Sequence, residues 1–432
     1  MSLKYVLEGM KNLFGRLLTR QELDSDPTQL PTEVISIPGM VQSGKYVICN
    51  RCGTSSLMQS VSLQVSAFFC PACIGLGRVR SDELLYHIPQ QPFPKQDTLA
   101  WQGTLTPYQA KISHQLVEAV EQKLKILVHA VTGAGKTEMI YDAINTSIAS
   151  GGAVCIATPR TDVARELYSR LSRDFNLTIS LLHADAAPYF RTPLVISTTH
   201  QLLRFRNAFD LLVIDEVDAF PFVNNTILHY AADHAQKNSA TVIYLTATPT
   251  DKLNALVKSG QLTSTTLSRR FHGHPLVVPK PIFSANNKTI YRYIKKQRKT
   301  NFPLLIFAPV ITWGKAFTAT LRQLFPDEQI GFVASTSEDR SDIITQFREA
   351  SLNILVTTTI LERGVTFPKV DVFVLHAHHR LFTTSSLVQI SGRVGRSLER
   401  PTGLIYFFHQ GLTKQMTQAI SDIRLMNKLG GF

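Results

Sequence analysis

The chain has 432 residues, 44% hydrophobic and 18% charged, which excludes wholesale disorder and leaves room for about three domains of ~150 residues. No run approaches the ~18 apolar residues of a spanning helix, and Lys4, Glu8, Lys11 and Arg16 interrupt the N-terminus where a secretory core would lie, so a soluble, intracellular protein is expected. Lys and Arg number 45 against 32 Asp and Glu, a net charge of +13 that points to a polyanionic partner, nucleic acid or an acidic membrane surface.

Residues 1–43 form an N-terminal segment. It opens on an amphipathic helical pattern (Tyr5, Val6, Met10, Leu13, Phe14, Leu17) and continues into a polar, Pro-containing stretch from Gln21 to Pro31. Residues 44–80 carry Cys49-Asn-Arg-Cys52-Gly53 and Cys70-Pro-Ala-Cys73-Ile-Gly75 within short β-like runs, with 17 residues between the pairs. That is the spacing of a tetrahedral four-cysteine zinc site. Each C-x-x-C turn offers two thiolates to one ion, and a Gly after the first pair lets backbone amides approach the sulfurs. A redox dithiol needs only one pair, in a βαβ setting. Four thiolates leave Zn²⁺ no open position, so the expected module is structural and zinc-ribbon-like. Cys155, alone in an apolar run, reads as a buried thiol, and residues 81–100, with Pro89, Pro92 and Pro94, read as a linker.

From residue 101 to 275 apolar strands alternate with helical patterns. The strands expected are Ile126–His129, Val154–Ala157, Val195–Ser197, Leu211–Ile214 and Val242–Leu245. A second such rhythm fills 285–432, with strands at Leu304–Ala308, Ile354–Thr357, Val372–Leu375 and Leu404–Phe408. The fold class is α/β, two parallel-sheet lobes behind a small cysteine module. Ser268–Pro281, with Arg269, Arg270 and three prolines, reads as a hinge between the lobes.

Two constellations carry chemistry. Ala130-Val-Thr-Gly133-Ala134-Gly135-Lys136-Thr137 stands between a strand and a helical pattern, the setting of a phosphate loop, although Ala130 replaces the first Gly of the strict motif. Gly133 and Gly135 permit the tight turns whose backbone N–H groups, that of Ala134 included, face phosphate oxygens. Lys136 would neutralise the β and γ phosphates of ATP, and the Thr137 hydroxyl would ligate Mg²⁺. Leu211–Ile214 ends in Asp215-Glu216-Val-Asp218. Asp215 can hold Mg²⁺ through water, and Glu216 can accept the proton of the attacking water.

The order of motifs resembles that of superfamily 2 helicases of the DEAD-box type, whose lobes are RecA-like. Thr106-Pro-Tyr-Gln109 resembles the adenine-sensing glutamine element. Ala157-Thr-Pro-Arg160 and Ser197-Thr-Thr-His200 resemble the nucleic-acid motifs Ia and Ib, and Thr246-Ala-Thr248 resembles motif III. In the second lobe Leu304–Pro309 resembles motif IV, Thr357-Thr-Thr-Ile-Leu-Glu-Arg-Gly364 motif V and Gln389-Ile-Ser-Gly-Arg393-Val-Gly-Arg396 motif VI. The resemblance implies that Gln109 and Gly364 help bind nucleotide and that Arg393 and Arg396 act as arginine fingers on the γ phosphate. Thr366 stands where RNA helicases of this type usually show Asp, which speaks against a simple transfer of RNA contacts.

Cysteine pairs ahead of the motor, Trp101–Gln109, Asp-Glu-Val-Asp-Ala-Phe-Pro-Phe222 and Leu361-Glu-Arg-Gly-Val-Thr-Phe-Pro368 together resemble the ComFA family of late competence proteins. The replication-restart helicase PriA has a similar motor but places its zinc cysteines between and beyond the helicase motifs. The resemblance implies a single-stranded-DNA-dependent ATPase that helps import transforming DNA, with other competence proteins at the uptake channel. It implies a cytoplasmic site, peripheral to the inner face of the membrane. The rival readings are a PriA-like or RNA helicase unwinding duplexes and a nucleotide-switch scaffold; Lys136, Asp215, Glu216 and Arg396 are intact, which counts against the switch.

One more stretch invites a nucleic-acid reading. Ser284–Thr300 carries Lys288, Arg292, Lys295, Lys296, Arg298 and Lys299 without an acidic residue, with Tyr291 and Tyr293 interleaved. It reads equally as a phosphate-binding, base-stacking patch or as a solvated helix face whose tyrosines pack inward. His376, His378 and His379 read as surface or core histidines, not ligands.

Overall fold

The computed structural model describes residues 11–23 and 33–432. By their contacts they fall into two units, up to Val128 with Thr137–Thr265, and His129–Lys136 with Thr266–Phe432. Six short strands come first: β1 (Leu17–Thr19), β2 (Ile35–Pro38), β3 (Met40–Ser43), β4 (Tyr46–Cys49), β5 (Ser55–Leu57) and β6 (Leu84–His87). They form two antiparallel sheets, β1-β6-β2 and β3-β4-β5. Strand β4 alternates exposed Tyr46 and Ile48 with buried Val47 and Cys49, the period of a half-buried strand, and so delivers Cys49 to the inner face.

Of the helical pattern expected at the N-terminus, Lys11 is helical and the helix does not continue beyond it. Tyr5, Val6 and Met10 lie outside the described residues. Phe14 bridges to Ile88, and Leu17 opens β1. Leu13, Leu18, Leu23 and Ile88 bury one another in a small cluster, so a strand pairing absorbs the apolar residues that looked helical. Residues 81–100 are tied down along their length. Strand β6 is central in its sheet, Phe93 N–H donates to the Gly151 carbonyl at 2.9 Å, and Ala100 N–H donates to the Asp174 carbonyl at 2.9 Å. The Arg191 guanidinium lies 3.9 Å from the centre of the Phe93 ring. The segment read as a linker thus runs along lobe one as a strap.

Lobe one follows in chain order as α1 (Pro107–Gln122), β7 (Lys125–Ala130), α2 (Lys136–Met139), α3 (Tyr141–Ala149), β8 (Val154–Thr158), α4 (Thr161–Asp174), β9 (Ser180–Leu182), β10 (Leu194–Thr198), β11 (Phe209–Ile214), α5 (Thr226–Ala235), β12 (Gln236–Thr246), α6 (Asp251–Lys258) and β13 (Thr263–Leu267). Its seven strands lie in the order β13-β7-β12-β11-β8-β10-β9. β8, β10 and most of β11 are buried on both faces, as central parallel strands must be when helices cover both sides. The cysteine module does not form a core of its own. Val47, Cys49, Val61, Cys70 and Val79 share one apolar cluster with Leu202, Phe205, Phe209, Leu228 and Ala231 of lobe one.

Lobe two comprises β14 (Lys280–Phe283), α7 (Asn287–Arg298), β15 (Leu304–Phe307), α8 (Ile311–Leu324), β16 (Ile330–Val333), α9 (Arg340–Arg348), β17 (Ile354–Thr357), β18 (Asp371–Val374), α10 (Thr384–Ser391), β19 (Ile405–His409) and α11 (Lys414–Leu429). Its sheet, β14-β19-β18-β15-β17-β16, is parallel at every pairing. The protein is thus two RecA-like parallel-sheet lobes with a four-cysteine module ahead of them. Ser268–Pro281, expected as a hinge, is fastened to lobe two: Arg270 donates to the Val394 carbonyl at 2.8 Å, and Asn427 exchanges two hydrogen bonds with the Leu276 backbone.

Candidate active site and metal centre

In lobe one the motifs stand where parallel strands end, the usual place for ligands in open α/β sheets. Strand β7 runs into the loop 131–135, whose Gly133 and Gly135 adopt φ of +77° and +75°, the left-handed region that costs glycine nothing. Helix α2 begins at Lys136, so the amides of 134–137 form a helix N-terminus fit for an anion. Lys136 and Thr137 are both half-buried beside it. Gln109 is nearly buried in the first turn of α1. Its side-chain oxygen accepts from the Thr106 N–H and hydroxyl, each at 2.9 Å, while its own N–H donates to the Thr106 hydroxyl. This capping box starts α1 at Pro107 and fixes the glutamine's rotamer.

Strand β11 delivers Asp215 and Glu216 beyond its end. Asp215 N–H donates to the Ala157 carbonyl, and Glu216 N–H donates to the Asp215 carboxylate at 2.9 Å. Glu216 holds φ +54°, an uncommon conformation for a side chain with Cβ and a type of strain found at functional sites. Asp218 binds motif III directly: Thr246 Oγ1 donates to its carboxylate at 2.7 Å, and the Thr248 hydroxyl donates to the other oxygen. Motifs II and III are therefore one hydrogen-bonded unit. Of the two nucleic-acid motifs, Arg160 pairs with Asp162 at 2.9 Å and His200 is exposed.

In lobe two Gly364 adopts φ +76° after Arg363, whose guanidinium donates to the Ser385 hydroxyl at 3.0 Å. Arg393 is buried in the turn after α10. Arg396 is half-exposed and donates to the Gly392 carbonyl at 2.8 Å. A third arginine, read in the sequence only as part of the hinge, is buried here. Arg270 is 3% exposed, and burial, with the Arg396 charge nearby, pushes its guanidinium down to about 9. The Arg269-Arg270 pair in the hinge was its only signal.

The four cysteines come together, all buried, from the end of β4, its following turn and the helical turn Pro71–Leu76. Their sulfurs all lie within 4.8 Å of one another, with Cys52–Cys70 at 3.4 Å and Cys49–Cys73 at 3.9 Å. Four sulfurs at ~2.3 Å around one tetrahedral ion stand ~3.8 Å apart, so the donor set fits. Hydrogen bonds among the sulfurs push the Cys49 and Cys73 thiols up and hold that of Cys52 down. Ionised together, four sulfurs in this volume would need a cation to offset their charge. Gly53, at φ +72°, packs on Tyr230 of α5, where any Cβ would come within 2.5 Å of the ring.

The polar setting of this centre was not legible in advance. The Arg51 side chain is fully buried between the first two cysteines and reaches the Glu22 carboxylate at 2.8 Å. Arg204 meets the same carboxylate at 2.8 Å. Burial opposes the charge of Glu22, but the Arg51 guanidinium, the Thr19 N–H and Arg204 outweigh it and hold its carboxyl below the usual range.

The basic stretch Ser284–Thr300 gives the opposite result. On α7, Tyr291 stacks on Phe317 and Tyr293 packs edge-on against Tyr406 and Phe408, so neither ring is offered to a base. Lys288, Arg292, Lys295, Lys296 and Lys299 are exposed, while Arg298 pairs with Glu328 at 2.8 Å. The stacking patch is not formed: the two tyrosines flank the buried stripe of Ile290, Ile294 and Gln297, one on each side, and each is taken by a neighbouring ring. His376 packs edge-on against Trp313.

Comparison with known proteins agrees with this geometry. Residues 106–256 match the DEAD/DEAH box helicase family, and residues 285–397 match the helicase conserved C-terminal domain. Fold and site define a superfamily 2 helicase-like ATPase. The chain is 51% identical over 427 residues to the competence protein ComFA of Streptococcus pneumoniae (strain ATCC BAA-255 / R6), covering 96% of this chain and 98% of the relative. It is 38% identical over 398 residues to ComFA of Bacillus subtilis (strain 168), covering 88% and 86%. The chain belongs to the ComFA family of competence proteins, as a helicase-like motor. The structure of Mycobacterium smegmatis helicase Lhr bound to ssDNA and AMP-PNP shares its fold at a TM-score of 0.56 and 18% identity, over 76% of this chain and 50% of that one. Among the described residues no helix is long and apolar enough to cross a membrane.

Proposed function

We propose that this chain is an ATP-driven motor that moves along single-stranded DNA and helps draw transforming DNA into the cytoplasm, alongside other competence proteins at the uptake channel. The observation that carries the reading is the phosphate loop and the Asp215–Glu216 pair at the strand ends of one lobe, in a ComFA chain whose other lobe keeps Arg393 and Arg396. The amides of Gly133, Ala134 and Gly135, with Lys136, hold the phosphates of ATP; Thr137 and Asp215 hold Mg²⁺, which neutralises charge on the phosphate oxygens. Glu216 orients the attacking water and takes its proton. Gln109 reads the adenine, Gly364 gives the nucleotide close approach, and Arg393 and Arg396 stabilise the transferred phosphoryl group. Cys49, Cys52, Cys70 and Cys73 hold a structural Zn²⁺. The net positive charge and the ssDNA in the Lhr complex support a nucleic-acid track. Localisation at the inner face of the membrane follows from the same reading.

The test is turnover by variants. Lys136→Ala nearly abolishes hydrolysis, Glu216→Gln binds ATP but hydrolyses it poorly, and Arg396→Ala lowers kcat by a factor approaching the ~10³–10⁵ of an arginine finger, with little change in nucleotide affinity. Wild-type rates in the first two would refute the assignment of both motifs, and a loss below about threefold in the third would make Arg396 a surface residue.

A further inference from the structure

The four-cysteine centre and motif Ib meet through one carboxylate. Glu22 accepts from the Thr19 N–H at 3.0 Å and hydroxyl at 3.1 Å, and from Arg51 at 2.8 and 2.9 Å and Arg204 at 2.8 Å. Arg51 lies between ligands Cys49 and Cys52, and its Nε donates to the Leu203 carbonyl at 3.4 Å. Arg204 also touches the second knuckle, donating to the Leu76 carbonyl at 3.2 Å in the turn that carries Cys73. Both knuckles therefore converge on Arg204.

Arg204 closes the short 3-10 helix Thr199–Arg204, whose first two residues are the last two of motif Ib. At ~2.0 Å per residue, exposed His200 lies only about 8 Å along the axis from Arg204. Leu202 and Leu203 between them are buried in the cluster that contains the four cysteines. A turn pinned at one end and buried in its middle passes displacement at the pin to its other end, because close-packed interiors do not absorb it locally.

We propose that Glu22 and Arg204 are positioning residues that couple the metal state of the four-cysteine centre to the nucleic-acid-binding segment Ser197–His200. The inference rests on the reading of the chain as a single-stranded-DNA motor. With the ion bound, the knuckles fix Arg51 and the Leu76 carbonyl, and Arg204 is held from both sides. Without it four buried thiols lose their cation, the knuckles relax, and Arg204 loses both anchors. Such coupling is reciprocal: whatever factor zinc adds to DNA affinity, DNA must add to zinc affinity.

The experiment measures both directions on the full chain. A labelled oligothymidylate is titrated by fluorescence anisotropy with zinc present and after chelation, and zinc affinity is measured against a chromophoric chelator with and without the oligonucleotide. In the wild type each ligand strengthens the other by about tenfold, within the ~5–150-fold range of such couplings. Arg204→Met keeps about one zinc per chain and its DNA-free ATP turnover, binds DNA weakly, and shows no coupling in either direction. Arg204→Lys, which keeps a cation opposite Glu22, restores part of the coupling. Equal coupling in wild type and Arg204→Met, or coupling below twofold in the wild type, would overturn the proposal while leaving the motor reading intact. A wild type that binds no oligonucleotide in either metal state would overturn the motor reading itself.

Discussion

Two regions outside the ATPase motifs stood out in the sequence, the cysteine pairs and the basic stretch Ser284–Thr300, and they fold in opposite ways. The cysteine module buries all four of its reactive groups and joins its core to lobe one. The basic helix α7 packs its half-buried tyrosines against neighbouring rings and leaves most of its cations in water. The difference lies in what each pattern constrains. Two C-x-x-C pairs at a fixed spacing satisfy one geometry, a tetrahedron of sulfurs. A run of lysines with tyrosines satisfies many, and α7 takes the ordinary one in which apolar rings face the sheet.

Substitutions can break or sharpen that contrast. The largest effect belongs to Cys70→Ser. The cysteines belong to a core shared with lobe one, and an ion held by them would supply binding energy of the kind that reaches ~10–16 kcal/mol in isolated zinc-finger peptides, so the substitution is expected to lower the melting temperature of the chain by at least about 10 °C. Calorimetry with metal analysis checks it. A shift confined to a separate small transition would mean that the module unfolds independently of lobe one.

Glu22→Gln comes next. It leaves the buried Arg51 guanidinium without a counter-charge and takes the partner of half-exposed Arg204, at a cost of about 3 kcal/mol. Its pH dependence has a definite sign. The folded carboxyl sits below its ordinary range, so the stability it supplies is full above the unfolded pKa of ~4.3 and disappears as pH falls through the lower folded value. The wild-type advantage over Glu22→Gln in denaturant titrations should therefore be constant near neutrality and shrink in acid. An advantage that grew with acidification would contradict the charge assignment.

On α7 the same logic predicts a division within one helix. Tyr293→Ala removes a half-buried ring packed on Tyr406 and Phe408 and costs about 2 kcal/mol. Lys295→Gln with Lys296→Gln stays within ~0.5 kcal/mol per site and changes single-stranded-DNA affinity by less than about threefold. Anisotropy at two salt concentrations would detect a lost phosphate contact as a smaller salt slope, and such a drop would return α7 to the nucleic-acid track.

The sequence was most legible where burial is complete. Every strand expected from an apolar run is present within a few residues, from β7 to β19. The large-sheet strands that escaped notice are β9, β13, β14 and β16, and these four are the edges of the two sheets. An edge strand needs no apolar run and often carries polar residues or proline: β13 reads Thr-Ser-Thr-Thr-Leu and β14 begins Lys-Pro. The phosphate loop, the carboxylate pair and the cysteines could be named because each motif is contiguous. Glu22, Arg51 and Arg204 could not, because their meeting joins positions up to 182 residues apart. The contacts of the segment 81–100 were not legible for a related reason: its prolines report a lack of helix, not a lack of contacts.

The central claim is that ATP turnover here is driven by single-stranded DNA. The direct measurement is steady-state ATP hydrolysis by the purified, zinc-loaded chain with single-stranded DNA, duplex DNA and RNA of the same sequence side by side. Stimulation of at least tenfold by single-stranded DNA, with duplex DNA and RNA well behind, is the result predicted. Hydrolysis that ignores all three, or that responds first to RNA or to duplex, would contradict it.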